Sequence, residues 1–79
     1  MKYAVIGGSL SGLAEATIVQ LKKRGYFIFA LDIRNKEREE DGILYIKADL
    51  TKNEDIERAR KIVEERTDKP DFISTFPGC

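Results

Sequence analysis

Val5-Ile6-Gly7-Gly8-Ser9-Leu10-Ser11-Gly12-Leu13-Ala14 is the stretch whose reading decides the fold. It closes an apolar run, Lys2 to Ile6, that is too short for a helix and is halted by Gly7-Gly8, as a buried strand is. Ser9 to Ser11 turn the chain, and either serine can cap the helix that follows. From Ser11 to Arg24, Leu13, Ala14, Thr17, Ile18 and Leu21 recur at three- and four-residue spacing, which makes one apolar face. Lys22, Lys23 and Arg24 occupy the last turn, where positive charge complements the helix dipole, and Gly25 stands at the stop. A strand that turns through glycine straight into a helix gathers free backbone N–H groups and a positive dipole end at one point. That arrangement suits a phosphate.

Downstream, Tyr26 to Leu31 is a second continuous apolar run, the pattern of a strand covered on both faces, and it ends at Asp32. Lys36 to Asp41 is an unbroken charged run and reads as a solvated connection. Gly42 introduces a third strand, Ile43 to Ala48, ended by Asp49-Leu50. Thr51-Lys52-Asn53-Glu54 matches a capping box ahead of a second helix. Its stripe is Ile56, Ala59, Ile62 and Val63, and it runs to about Arg66. Thr67-Asp68-Lys69-Pro70 breaks that helix, and Asp71 to Phe76 forms a fourth strand before Pro77-Gly78-Cys79.

The expected class is therefore α/β, a Rossmann-like β-α-β-β-α-β order in a single domain spanning residues 1–79. The roughly ten residues from Ile33 to Gly42, at up to ~3.3 Å each, just reach across the sheet and allow strands two and three to run parallel. A hairpin there would put Asp32 and Asp49 at opposite ends of the sheet. Right-handed crossovers then give a four-stranded parallel sheet of order 3-2-1-4, with one helix on each face. Strands one and four part at the switch point, where open α/β sheets take their ligands. A glycine turn between strand and helix, followed by an acid at the end of the next strand, points to a dinucleotide. Asp32 would accept hydrogen bonds from the ribose 2′-OH and repel a 2′-phosphate, favouring NAD over NADP; Arg34, two residues on, acts against that preference.

These residues resemble the N-terminal half of the short-chain dehydrogenase/reductase family. The family opens with Thr-Gly-x-x-x-Gly-Ile-Gly, and Gly7-Gly8-Ser9-Leu10-Ser11-Gly12-Leu13-Ala14 takes those places. Phe29-Ala30-Leu31-Asp32-Ile33-Arg34 resembles its second strand, and Asp49-Leu50 its Asp-hydrophobic pair beside the adenine. Asp71 to Gly78 parallels its Asp-x-x-x-Asn-Asn-Ala-Gly. The resemblance implies cofactor contacts from Gly8, Ser9, Leu10, Ser11, Gly12 and Leu13 at the pyrophosphate. It implies further contacts from Asp32, Ile33 and Arg34 at the ribose, Asp49 and Leu50 at the adenine, and Thr75, Phe76 and Pro77 at the last strand. Two places depart from the family. Ala14 replaces the third glycine, and Thr75-Phe76-Pro77 replaces Asn-Asn-Ala, where Phe76 cannot make the asparagine's hydrogen bonds. The family's catalytic Ser, Tyr and Lys lie beyond the match and are not carried over. Gly7-x-Ser9-x-x-Gly12-Leu13 also resembles the opening of flavin-dependent monooxygenases, whereas the segment from Asp49 onward favours the short-chain family.

Composition narrows the alternatives. Of 79 residues 42% are hydrophobic, enough for a core, and fourteen basic residues balance fourteen acidic ones. Nothing in that balance draws in nucleic acid or an anionic membrane. With no histidine, Ser-His catalysis is out; the lone Cys79 cannot form an internal disulfide, and a zinc site is not expected. Neither Tyr3 nor Tyr26 stands four residues ahead of a lysine, the spacing of the family's catalytic pair. The expectation is a cytoplasmic module that binds NAD without catalysing a reaction by itself. The alternatives are an interaction module that kept the fold and lost the cofactor, or a piece of a longer NAD(P)-dependent oxidoreductase. One helix per face cannot cover four strands, and the fourth strand carries Phe72, Ile73 and Phe76 at an edge. A homo-oligomer, a two-fold dimer through that edge or the uncovered sheet face, is expected.

Overall fold

The computed structural model describes residues 1–8 and 12–75, with Thr75 described in its backbone only. Ser9, Leu10, Ser11, Phe76 and Pro77, all expected at the cofactor, lie outside the described residues, and so does the capping expected of either serine. The elements are β1 (Lys2–Gly7), α1 (Gly12–Lys23), β2 (Tyr26–Asp32), β3 (Arg38–Glu40), β4 (Ile43–Lys47), α2 (Asn53–Glu64) and β5 (Phe72–Thr75). They build one five-stranded sheet of order β3-β4-β2-β1-β5. Four of its strands, β4-β2-β1-β5, run parallel in the expected 3-2-1-4 order.

β3 corrects the strand count. It pairs antiparallel with β4 as Arg38↔Tyr45, Glu39↔Leu44 and Glu40↔Ile43, within the run expected to be a bare loop. Asp41 (φ 52°) and Gly42 (φ 76°) both adopt the left-handed conformation, which makes the two-residue turn that joins tight hairpins. The charges of β3 alternate as strand side chains must. Arg38 lies over the Tyr45 ring at 4.3 Å, while Glu39 reaches the other way to Arg66 at 2.6 Å. Arg58 adds a second tie, 2.7 Å to Glu37, and also donates to the Lys47 carbonyl.

Each face of the sheet has its own core, because alternate residues of one strand serve opposite sides. Ala4, Ile6, Ile28, Ala30 and Ile43 pack with Ala14, Ile18 and Leu21 of α1. Phe29, Leu31 and Ile46 pack with Ala59 and Val63 of α2 on the other face, joined by Tyr3, Val5 and Phe27. Tyr3, Phe27 and Phe29 form a ring cluster there, with centroids 5.4–5.9 Å apart. Leu13, assigned to the buried stripe of α1 from its spacing, is instead 71% exposed. It sits in the first turn, and its carbonyl accepts the Thr17 hydroxyl. α1 ends at Gly25, whose N–H donates to the Lys22 carbonyl at φ 84°, the glycine stop that the sequence indicates.

α2 starts without the expected capping box. Its N-cap is Lys52 with no side-chain bond; the Thr51 hydroxyl and N–H both donate to Asp49, at 2.6 and 2.9 Å. Asp55 rather than Glu54 reaches back, accepting from the Asp49 N–H at 2.8 Å. The acid two residues before Thr51 outcompetes the helix N–H groups for the hydroxyl. Between α2 and the β1–β5 side of the sheet lies an apolar groove of about 380 Å³, lined by Val5, Leu31, Ile56, Val63, Pro70 and Ile73 among others. Among the described residues, no helix is long and apolar enough to cross a membrane.

Candidate functional site

The parallel register brings the expected residues to one end of the sheet. Gly7 pairs with Leu31 on one side and Thr75 on the other, and Asp32 pairs with Lys47. Gly8, Asp32, Asp49 and the backbone of Thr75 therefore share the carboxyl end of adjacent strands, which a β2–β4 hairpin would have prevented. Gly8, at φ 71°, donates its N–H to the Leu31 carbonyl at 2.8 Å. That bond holds the glycine turn against the end of β2. A side chain would be strained at this φ, so the turn demands glycine whatever it binds. Gly12 opens α1 and is exposed; among the described residues nothing lies within 4 Å of a Cβ built on it. Packing in the described structure does not require its missing side chain.

Asp32 is 4% exposed, and a buried carboxylate needs partners. Arg34 supplies them. Its backbone N–H and Nε donate to Oδ1 at 2.9 and 3.1 Å, and its Nη2 donates to Oδ2 at 3.2 Å. The guanidinium itself is half exposed, so the pair forms a charged lip at the sheet's end. Ile33 between them points into solvent, 52% exposed.

The sequence reading missed Asn35. It is buried, and its Nδ2 donates to the carbonyls of Ala30, at 2.8 Å, and Ile46, at 3.0 Å. Its own N–H donates to the Asp32 carbonyl, which also receives the Ala48 N–H. Asn35 thus ties the end of β2 to the end of β4 and fixes the backbone from which Asp32 projects. An asparagine just past a strand end is a turn signal, and that was the available clue.

On the adjoining strand Asp49 is half-buried. The two bonds from Thr51, with Lys52 nearby, hold its carboxyl below the usual carboxylate range. It is therefore an anion at neutral pH. Leu50, expected beside an adenine, packs half-buried against the α2-side core and lines the groove. Ala14, in the place of the family's third glycine, is fully buried between α1 and the sheet, so its methyl fits there.

No protein-family model matches the sequence, and no curated protein does. Solved structures do match the fold. A short-chain dehydrogenase from Leptospira borgpetersenii serovar Hardjo-bovis, solved with bound NAD+, superposes with a TM-score of 0.82 at 18% identity over 99% of this chain. 4-Hydroxyisoleucine dehydrogenase, complexed with NADH, gives 0.77 at 23% identity over 92%. The chain spans 32% of the length of each. In fold, this chain resembles a part, about a third in length, of short-chain dehydrogenases.

Proposed function

We propose that this chain binds an adenine dinucleotide, NAD in preference to NADP, and does not transfer hydride by itself. The observation that carries this reading is the buried Asp32 carboxylate at the carboxyl end of β2, one strand from the positive-φ Gly8 turn. The pyrophosphate would lie over residues 8 to 13 at the start of α1, the ribose on Asp32, and the adenine between Ile33 and Asp49. The groups present fit such a ligand: an acid for the ribose hydroxyls, a glycine with nothing among the described residues within 4 Å of a Cβ built on it, and a second acid for the exocyclic amine. Two NAD-bound neighbours of the same fold support the ligand class. When bound, the nicotinamide supplies a hydride acceptor or donor. These 79 residues contain no tyrosine four residues ahead of a lysine to move the accompanying proton.

Arg34 shapes the choice between cofactors. A ribose 2′-OH can share the Asp32 carboxylate with the guanidinium, while a 2′-phosphate needs that guanidinium turned away from the acid. The ion pair between Arg34 and Asp32 also favours a second reading, an interaction module in which the guanidinium occupies the former ribose site. Within a longer polypeptide the same module would be the cofactor part of an NAD(P)-dependent oxidoreductase. Melting the protein in the presence of NAD or NADP separates these readings. At a hundred times its dissociation constant a ligand adds about 2.7 kcal/mol. For a domain of this size that raises the melting temperature by about 10–20 °C. A larger rise with NADP refutes the role given to Asp32, and no rise with either leaves the interaction module.

A further inference from the structure

α2 reaches the carboxyl end of the sheet with two opposite charges, Asp55 and Arg58, one turn apart. Asp55 accepts from the Asp49 N–H at 2.8 Å, and one Nη of Arg58 donates to the Lys47 carbonyl. The other Nη lies 2.7 Å from the Glu37 carboxylate. The ladder shows why the Lys47 carbonyl faces outward. The Ile28 N–H donates to the Gly42 carbonyl and the Ala48 N–H to the Asp32 carbonyl, so Gly42, Leu44, Ile46 and Ala48 turn their backbone groups toward β2. Ile43, Tyr45 and Lys47 therefore turn theirs toward β3. β3 begins at Arg38, opposite Tyr45, so its ladder ends before Lys47. Arg58 donates where that ladder stops. With the same guanidinium it holds Glu37, which leads the loop after β2 into β3.

We infer that Arg58 is a positioning residue for the adenine half of the dinucleotide. This rests on the cofactor reading above, which puts the adenine between Ile33 and Asp49. Those two residues belong to separate walls, Ile33 to the loop after β2 and Asp49 to the segment after β4. Arg58 bonds the far end of the first wall and the root of the second, and so sets the gap between them. Buried Asn35 ties the same loop to Ile46 and holds its middle, while Arg58 holds its end. A planar fork suits this double task better than the point charge of an ammonium. Arg58 and Glu37 are both half exposed, so their pairing adds little to global stability. What it governs is the placement of the loop.

Arg58→Gln removes the charge and shortens the reach. Without ligand, amide hydrogen exchange should quicken about 3- to 10-fold at Asn35 and Ala48, whose N–H groups both donate to the Asp32 carbonyl. The amides of Ile6 and Ile28 in the buried core should exchange as in the parent, which a general loss of stability would not allow. Calorimetric titration should show affinity for AMP and for NAD falling by the same factor, about 3- to 10-fold. Arg58→Lys should recover part of both effects. Glu37→Gln should weaken binding too, and the double variant Arg58→Gln/Glu37→Gln should bind no worse than Arg58→Gln, since both act through one contact. Unchanged exchange at Asn35 and Ala48 overturns the inference. So does a loss for NAD without one for AMP, or additive losses in the double variant. A parent that binds neither AMP nor NAD overturns the cofactor reading and the adenine role with it, and the exchange measurement tells that outcome from a failed brace.

Discussion

Gly12→Ala sets the demands of the fold against those of a ligand. Gly12 is the first residue of α1, lies outside the positive-φ region, and has nothing among the described residues within 4 Å of a Cβ built there. The fold therefore gains from alanine, which restricts the unfolded chain and favours the helix. At a helix end the gain is at the low end of the usual range, about 0.5 kcal/mol. That corresponds to a melting temperature higher by about 2–4 °C. A pyrophosphate seated at the start of α1 occupies the space the methyl takes. It must retreat from the helix N–H groups and lose one charge-assisted hydrogen bond, worth about 1.5–3 kcal/mol. NAD affinity should fall about 10- to 100-fold. Thermal melts without cofactor give the first quantity and calorimetric titration with NAD the second. A variant that melts below the parent refutes the claim of open space. One that melts higher but binds NAD as the parent does refutes the pyrophosphate's place at α1.

Asn35→Ala removes the donors to Ala30 and Ile46 and leaves two buried carbonyls short of a partner. A loss of about 1–3 kcal/mol in denaturant unfolding is expected, and a change within error would mean that the tie between β2 and β4 is redundant. Thr51→Val deletes the hydroxyl bond to Asp49, so the carboxyl pKa should rise toward its ordinary value in an NMR titration. The sign for stability follows from linkage: a depressed folded pKa stabilises above the unfolded value near ~3.9, and that contribution fades as pH falls through the folded pKa. The variant should lose less stability on acidification across that window than the parent does.

The parallel strands were legible because burial on both faces writes itself as unbroken apolar runs. Tyr26 to Leu31 serves the α1 core with Tyr26, Ile28 and Ala30 and the α2 core with Phe27, Phe29 and Leu31. β3 was illegible by the same logic. A fully exposed strand has no apolar member, so the alternation of Arg38 with Glu39 is a period in contacts and not in hydropathy. The signal that remained was Asp41-Gly42, the dipeptide that two-residue hairpin turns favour, directly ahead of an apolar run. α2 shows a different failure. Thr51 and Glu54 fit the capping pattern, yet Asp49 lies equally close in sequence to the same hydroxyl, and a carboxylate is a stronger acceptor of it than any cap geometry provides.

For the site, sequence supplied positions and withheld partners. Asp32 and Asp49 stand at strand ends, and the parallel register carries both to the same end. What each acid does depends on the two or three residues after it, which fold back as turns. After Asp32, Arg34 turns back to grip the carboxylate, and Asn35 locks the turn to β4. After Asp49, Thr51 closes on the acid instead of capping α2. Both acids therefore reach the sheet's end already hydrogen-bonded by their own turns. At Asp49 that pairing holds the carboxyl below the usual carboxylate range. It also means that a ligand there gains only the difference between its own hydrogen bonds and those it displaces. The affinity of this site for a ribose accordingly rests on whether a 2′-OH can share Asp32 with Arg34 instead of replacing it.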